Sequence, residues 1–202
     1  MPDALMLHPV IPLVFGLVFV GVTFVRSLVT ARRLGKSPFV IDRRDQVLGF
    51  VGAIFVSVVF GLIGYFGAIA VNPGLEQALG RIPRAHEQGW RLASIVVMTA
   101  SLIWMTVAQV AMGRSWRVGI DQAETLELRT RGPFAISRNP VFVGMLGMAL
   151  GLALWSPTAV TVAGLAAAYI ALEVQIRAEE AYLERTIGEP YRLYRGRVPR
   201  WI

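Results

Sequence analysis

The sequence predicts an all-α integral membrane protein with about five transmembrane helices. Two properties of the whole chain indicate this class: 55% of the 202 residues are hydrophobic, and the mean hydropathy is +0.57, both well above the values of soluble domains. The third observation is local. Runs of about 20 uncharged residues recur along the chain, and each is long enough to cross a hydrocarbon core about 30 Å thick as a helix.

The first three spans are predicted at residues 9–30, 47–71 and 92–112. The second and third runs carry no charge, and the first carries only Arg26, near its end, where a long side chain can reach the headgroup level. No basic segment precedes the first run and no small-residue cleavage site follows it. We therefore interpret it as a retained membrane anchor and not as a signal peptide.

The fourth and fifth spans are predicted to form a helical hairpin within residues 140–172, a run of 33 residues without a charge. This run is too long for one perpendicular span, and Trp155-Ser156-Pro157-Thr158 interrupts it with a proline, which is well tolerated in the first turn of a helix. The fourth span is then short, about 24 Å as a helix. On it, Gly144, Gly147 and Gly151 recur at helical spacing, which predicts close helix packing.

The Lys and Arg residues predict the orientation. Sixteen of them fall in the first loop, the third loop and the tail, whereas only Arg81 and Arg84 fall in the second loop. This asymmetry places the N-terminus outside and the C-terminus in the cytoplasm, as in a multi-pass protein of a bacterial inner membrane or a plasma membrane. The net charge of +7 is then explained by topology and by contact with membrane lipids, so no nucleic-acid partner is predicted.

Metal chemistry is not predicted. Cysteine is absent, which excludes disulfides, thiolate metal sites and a cysteine nucleophile. The two histidines, His8 and His86, lie far apart, each beside a predicted membrane boundary, where a lone histidine is more often structural than a ligand.

The last span is predicted to continue as a helix beyond the membrane. Acidic and basic residues follow it at intervals of four, three and four, which places them on one helix face: Glu173, Arg177, Glu180 and Glu184. Spacing alone leaves two interpretations open, a solvent-exposed helix laced with salt bridges or one wall of a binding site.

Three segments of the C-terminal half resemble a known family. GRSW (113–116), RGPFAISRNPVFVGM (131–145) and RAEEAYLERTIGEPYRLYRGRVPRWI (177–202) are similar, in order and with the hairpin between them, to the isoprenylcysteine carboxyl methyltransferase family of integral membrane enzymes and its bacterial relatives. The resemblance divides the chain into three N-terminal transmembrane helices (1–112) and a methyltransferase core (113–202) with a cytoplasmic C-terminal cofactor-binding region.

The resemblance implies S-adenosylmethionine as the cofactor. Such a ligand combines a sulfonium, an ammonium, a carboxylate and an adenine, so its site needs carboxylate, arginine and aromatic partners together. Catalytic roles are implied for Arg138, Glu179 and Glu180. By position, the residues implied to bind the cofactor are Gly132, Pro133, Phe134, Arg138, Asn139, Pro140, Phe142, Gly144, Glu179, Glu180, Tyr191, Val198, Pro199 and Arg200.

The chain departs from the family pattern at several of these places. Phe134 and Phe142 stand where the family often has tyrosine, Asn139 stands where it often has histidine, and Gln175 stands where an arginine is expected. Two hydroxyl groups that could bond the cofactor or the acceptor are therefore missing. The resemblance supports the identity of the cofactor more strongly than that of any particular acceptor.

The predicted function is therefore transfer of a methyl group from S-adenosylmethionine to a lipophilic small molecule or lipid that arrives through the bilayer. The methylated group can be a carboxylate, an amine or a thiol, and the oligomeric state stays open. Two alternatives remain at this point: an NADPH-dependent membrane reductase of the sterol-reductase type, and a non-enzymatic membrane protein that retains the fold.

Overall fold

The computed structural model describes residues 3–34, 46–82, 88–113 and 128–202, and within these ranges every regular element is a helix. The helices are α1 (Asp3–Leu34), α2 (Gln46–Val71), α3 (Gly74–Ala78), α4 (Gln88–Met112), α5 (Pro140–Trp155), α6 (Ala159–Ile187) and α7 (Glu189–Arg195), with a 3-10 turn at Gly132–Ala135. The predicted all-α class is confirmed.

Four helices are long and apolar enough to cross a membrane. Their spanning stretches are Pro9–Arg32, Gly49–Val71, Gly89–Met112 and Ala159–Ile187, and α5 is a shorter apolar helix of 16 residues. The first three predicted spans and the last one therefore coincide with α1, α2, α4 and α6. That α5 crosses the bilayer as a fifth span stays a prediction.

The glycines of α5 allow it to pack closely against α4. A Cβ atom on Gly144 would lie 2.6 Å from the Cβ of Met105 and 2.9 Å from the carbonyl oxygen of Ser101, and side chains of α4 likewise face Gly147 and Gly151. Only residues without a side chain fit this seam, so the predicted small-residue packing is confirmed.

The hairpin turn lies where the sequence predicts it. Helix α5 ends at Trp155, and Thr158 caps the first turn of α6 by accepting a hydrogen bond from the backbone N–H of Thr161. Helices α2 and α3 both contact this turn: the Tyr65 hydroxyl of α2 lies 3.0 Å from the Ser156 hydroxyl, which donates to the buried Glu76 carboxylate of α3 at 2.6 Å. These contacts form a buried polar cluster at this end of the bundle.

At the opposite end the chain turns back. Helix α6 runs on to Ile187, as predicted, and then Gly188 adopts a φ of 69°, a conformation that favours glycine. Helix α7 begins directly after it, and the last residues return along the start of α5.

Several predicted features lie outside the described residues. They are the side chains of His8, Arg33, Lys36, Arg43, Arg44, Arg84, His86, Arg114 and Arg117, and the rest of the GRSW segment after Gly113. The orientation in the membrane and the division at residue 112 stay predictions.

Candidate cofactor site

The C-terminal tail, residues 198–202, lies beside the segment that leads into α5. The backbone N–H of Arg138 donates to the carbonyl of Pro199 at 3.0 Å. The carbonyl of Arg200 accepts two further bonds, from the Ser137 hydroxyl at 3.2 Å and from the Asn139 side-chain amide at 3.1 Å. These bonds join residues that are about 60 positions apart in the sequence. They therefore depend on the tertiary fold.

The Glu180 carboxylate is the centre of the site. Arg200 donates to both of its oxygens, at 3.2 and 2.8 Å, and the Arg138 Nη1 lies 3.2 Å from Oε1. The Asn139 amide also donates to Oε1, at 3.4 Å. Because the Glu180 side chain is only 8% exposed, these partners supply the compensation that a buried charge requires.

A second carboxylate, Glu173, holds the tail about two turns nearer the start of α6. It accepts a bond from the Trp201 indole N–H at 2.8 Å, and its other oxygen faces Arg177 at 3.1 Å and Arg200 at 3.5 Å. The Trp201 ring also stacks on Tyr169, with 6.1 Å between the ring centres. The tail is therefore fixed to α6 by both charge and aromatic contact.

Buried donors at this site are left unused. The Arg138 Nε and Nη1 atoms and the Tyr191 hydroxyl are buried and form no hydrogen bond of good geometry, although Nη1 lies near Glu180 and the Arg138 side chain lies beside the Tyr191 hydroxyl. Burial raises the pKa of Tyr191, as does the nearby charge of Glu180, so the hydroxyl keeps its proton and can donate. Buried polar groups without a partner are rare in folded proteins and often mark a ligand position.

Helix α7 contacts the loop that leads into the site. Burial raises the pKa of Tyr194 to about 12, and its hydroxyl donates to the carbonyl of Phe134 at 2.7 Å. Phe134 belongs to the 3-10 turn, whose first residue, Gly132, has a φ of 64°. The return of the chain through α7 therefore fixes the loop that carries Arg138.

The structure separates two residues that the sequence analysis treated as a pair. Glu180 faces the arginines, whereas the Glu179 carboxylate accepts a bond from the Gln175 amide at 2.8 Å. Adjacent residues of a helix point about 100° apart, so the two carboxylates cannot share one set of partners.

The other predicted positions divide into two groups. Phe134, Arg138, Asn139, Glu180, Tyr191, Pro199 and Arg200 come together around the tail and the first turn of α5. Gly144 packs against α4, and the carbonyl of Pro140 accepts a bond from the Trp104 indole at 2.8 Å. The cofactor roles of all these residues, and those of Pro133, Phe142 and Val198, stay predictions.

Residues 90–189 match the family model described as phospholipid methyltransferase. Through this region the chain belongs to the phospholipid methyltransferase family. This is a family of membrane methyltransferases similar to the isoprenylcysteine carboxyl methyltransferases, so the predicted resemblance is confirmed. No curated protein and no solved structure matches the chain.

The phospholipid methyltransferase match extends beyond the segments that carried the resemblance. It begins within α4, before Gly113, and it ends at residue 189, before Tyr191 and the tail. Glu180, Arg138 and the start of α5 therefore lie inside the matched region. The match favours a methyltransferase over the reductase and the non-enzymatic alternative.

Ser137, Tyr194 and Trp201 were not among the predicted site residues. Each contacts a part of the chain that is remote in sequence. Ser137 and Trp201 are direct neighbours of assigned residues, and Tyr194 lies three positions after Tyr191, one turn further along α7. Those positions were the only signals available for them.

Proposed function

We propose that this membrane methyltransferase uses S-adenosylmethionine and methylates a lipophilic acceptor that reaches the site from the bilayer. The observation that carries the proposal is the buried cluster of Glu180, Arg138 and Arg200, next to donors that have no partner. It lies at the end of a membrane helix, in a family whose members transfer methyl groups in membranes.

The residues present fit the carboxylate end of the cofactor. Three guanidinium groups, of Arg138, Arg177 and Arg200, face the carboxylates of Glu173 and Glu180. The unused N–H groups of Arg138 and the Tyr191 hydroxyl can donate to an anion, and such charge-assisted bonds are among the strongest. When bound, the cofactor supplies a methyl group already activated by the sulfonium.

The chain itself then aligns the reactants and excludes water, because methyl transfer from a sulfonium needs little further activation. A neutral amine or thiol acceptor must lose a proton, and Glu179 is better suited to accept it than Glu180. Glu180 is engaged by two arginines, whereas the described contacts of Glu179 are with Gln175. A carboxylate acceptor needs no base, and Arg138 or Arg177 can orient it.

The acceptor is expected to enter sideways from the lipid. Apolar residues surround the start of α5, and Ile136 among them is 48% exposed although it lies next to the buried Ser137. A lipophilic acceptor can therefore reach this level without leaving the membrane. Acceptors with long chains should be methylated much faster than soluble short-chain analogues, and equal turnover of both would contradict lateral entry.

Calorimetric titration of the detergent-solubilised protein with S-adenosylmethionine tests the cofactor. Arg138→Ala removes the unused donors and should weaken binding about ten- to a hundredfold, the effect of losing a charge-assisted hydrogen bond. The matched control is Glu184→Gln, further along α6, where Glu184 pairs with the half-exposed Arg195. Thermal unfolding checks that both variants are folded.

Three outcomes are informative. Binding that is lost in Arg138→Ala and retained in Glu184→Gln supports the proposal. Unchanged affinity in folded Arg138→Ala protein removes this arginine from the site. Binding of NADPH in place of S-adenosylmethionine would support the reductase alternative.

A further inference from the structure

The tail, residues 198–202, lies on the surface and covers a part of the candidate cofactor site. None of its residues is buried. The side chains beneath it are buried, with exposed fractions of 0% for Ser137, 9% for Asn139 and 6% for Glu180. Each of these three forms a hydrogen bond with Arg200 of the tail, so their burial depends on the position of the tail.

The unused donors of the site are closed off at the same place. The Arg138 Nε and Nη1 atoms and the Tyr191 hydroxyl are buried, so a ligand cannot contact them in this arrangement. The backbone N–H of Arg138 donates to the carbonyl of Pro199. Its guanidinium shares the Glu180 carboxylate with Arg200. A cofactor that uses these donors therefore needs a segment of the chain to move.

Among the described segments around the site, the tail can move at the lowest cost. Helix α5 is packed closely against α4 through Gly144, and α6 is long enough to span the membrane. Helix α7 is fixed by Tyr191 and Tyr194, which are 1% and 6% exposed. The tail buries no side chain of its own and ends the chain, and segments with few buried contacts open most readily.

The end of the tail is held by two polar contacts and one aromatic contact. Trp201 donates its indole N–H to Glu173 at 2.8 Å, and its ring stacks on Tyr169, which is 46% exposed. The Arg200 guanidinium, 30% exposed, lies between Glu173 and Glu180. These contacts are therefore near enough to solvent for water to replace them.

Lifting the tail leaves no buried carboxylate without a cation. Glu180 retains Arg138 at 3.2 Å, and Glu173 retains Arg177 at 3.1 Å. Arg200, which leaves with the tail, becomes hydrated. The large cost of an unpaired buried charge is thus avoided in the open state.

We propose that the tail opens and closes the candidate site: it lifts from Glu173 and Glu180 to admit the cofactor and then closes over it. In the closed state it excludes water from the bound cofactor, as mobile lids do in many enzymes. The part that concerns the cofactor rests on the proposed function. The opening itself can be measured without any ligand.

A single cysteine beneath the tail measures the opening. The chain has no cysteine, so Ser137→Cys introduces one thiol at a position that is 0% exposed and bonded to the Arg200 carbonyl. The rate of its modification by a small methanethiosulfonate, followed by mass spectrometry of the full chain in detergent, reports how often the tail lifts. Ser156→Cys is the matched control, since Ser156 is also 0% exposed but lies at the opposite end of the bundle.

Trp201→Ala should accelerate the modification of Ser137→Cys about tenfold or more, the factor expected for a lost hydrogen bond to a charged group. It should leave the modification of Ser156→Cys unchanged. Trp90→Ala is the second control, because the Trp90 indole N–H donates to the carbonyl of Leu154, far from the tail. It should not change the rate at Ser137→Cys.

The cofactor gives a separate measurement on the chain with its native Ser137. Trp201→Ala should release radiolabelled S-adenosylmethionine about tenfold faster than wild type does when unlabelled cofactor is added in excess. Saturating S-adenosylmethionine should also slow the modification of Ser137→Cys. Thermal unfolding checks that each variant is folded.

The proposal is overturned if Ser137→Cys is modified at the same rate with Trp201→Ala as with Trp90→Ala, or if Trp201→Ala releases the cofactor as slowly as wild type. Faster modification without any binding of S-adenosylmethionine to wild type would support the opening of the tail but contradict the cofactor, and with it the proposed function. If Trp201→Ala does not fold, Trp201→Phe decides, because it retains a ring to stack on Tyr169 and lacks only the donor to Glu173.

Discussion

Glu180→Gln should strongly destabilise the protein, because it removes the negative charge that forms ion pairs with Arg138 and Arg200. The Arg138 side chain is 10% exposed and that of Arg200 is 30% exposed, and both lie within 3.2 Å of the carboxylate. Breaking a buried ion pair costs about 3–5 kcal/mol. Arg200 can rehydrate in part after the change, so we expect the lower end of this range, about 3 kcal/mol.

The measurement is reversible unfolding in mixed detergent micelles with increasing SDS, followed by circular dichroism. Glu184→Gln is the control, since its partner Arg195 is 50% exposed and exposed pairs contribute about 0–1 kcal/mol. Glu179→Gln should also be mild, because its neutral partner Gln175 can bond to an amide as well. The reasoning would be refuted if Glu180→Gln lost no more stability than these two variants.

Three further predictions concern other parts of the chain. Gly144→Ala should lower the free energy of unfolding by about 1–3 kcal/mol, because the new Cβ would meet that of Met105 at 2.6 Å; thermal unfolding measures it, and an unchanged midpoint would contradict the tight seam. Tyr65→Phe removes a hydroxyl that contacts two others at 3.0 and 3.1 Å and should cost about 1 kcal/mol, yet leave S-adenosylmethionine affinity unchanged in calorimetry. Reporter fusions after Lys36 and at the C-terminus should report the cytoplasm, and a fusion near Arg84 should report the outside; a C-terminus outside the cytoplasm would refute the orientation.

The helices of this protein were predictable from the sequence because their signals are local. An uncharged run of sufficient length must become a helix in a membrane, since no water is present to bond an unpaired backbone. The break at Ser156 and Pro157 follows from proline chemistry, and the close seam of α5 follows from glycines repeated on one helix face. Membership of a methyltransferase family was likewise carried by short motifs that are contiguous in the chain.

The site itself was only partly predictable. The sequence presents Glu179 and Glu180 as equivalent neighbours, and only the position of α6 against the tail distinguishes the one that meets Arg138 and Arg200 from the one that meets Gln175. The same holds for Trp201, whose contacts lie about 30 residues away along the chain.

By itself, then, the sequence determined where the helices run, which residues let them pack closely and which family the chain belongs to. The tertiary structure decided which charges are buried together, how Gly188 and α7 return the tail to the start of α5, and that Arg26 donates to the carbonyls of Gln109 and Gly113 at the end of α4. The physical reason is distance. Helix formation depends on neighbours within a few turns, whereas charge pairing and cavities depend on segments that meet only after the chain has folded.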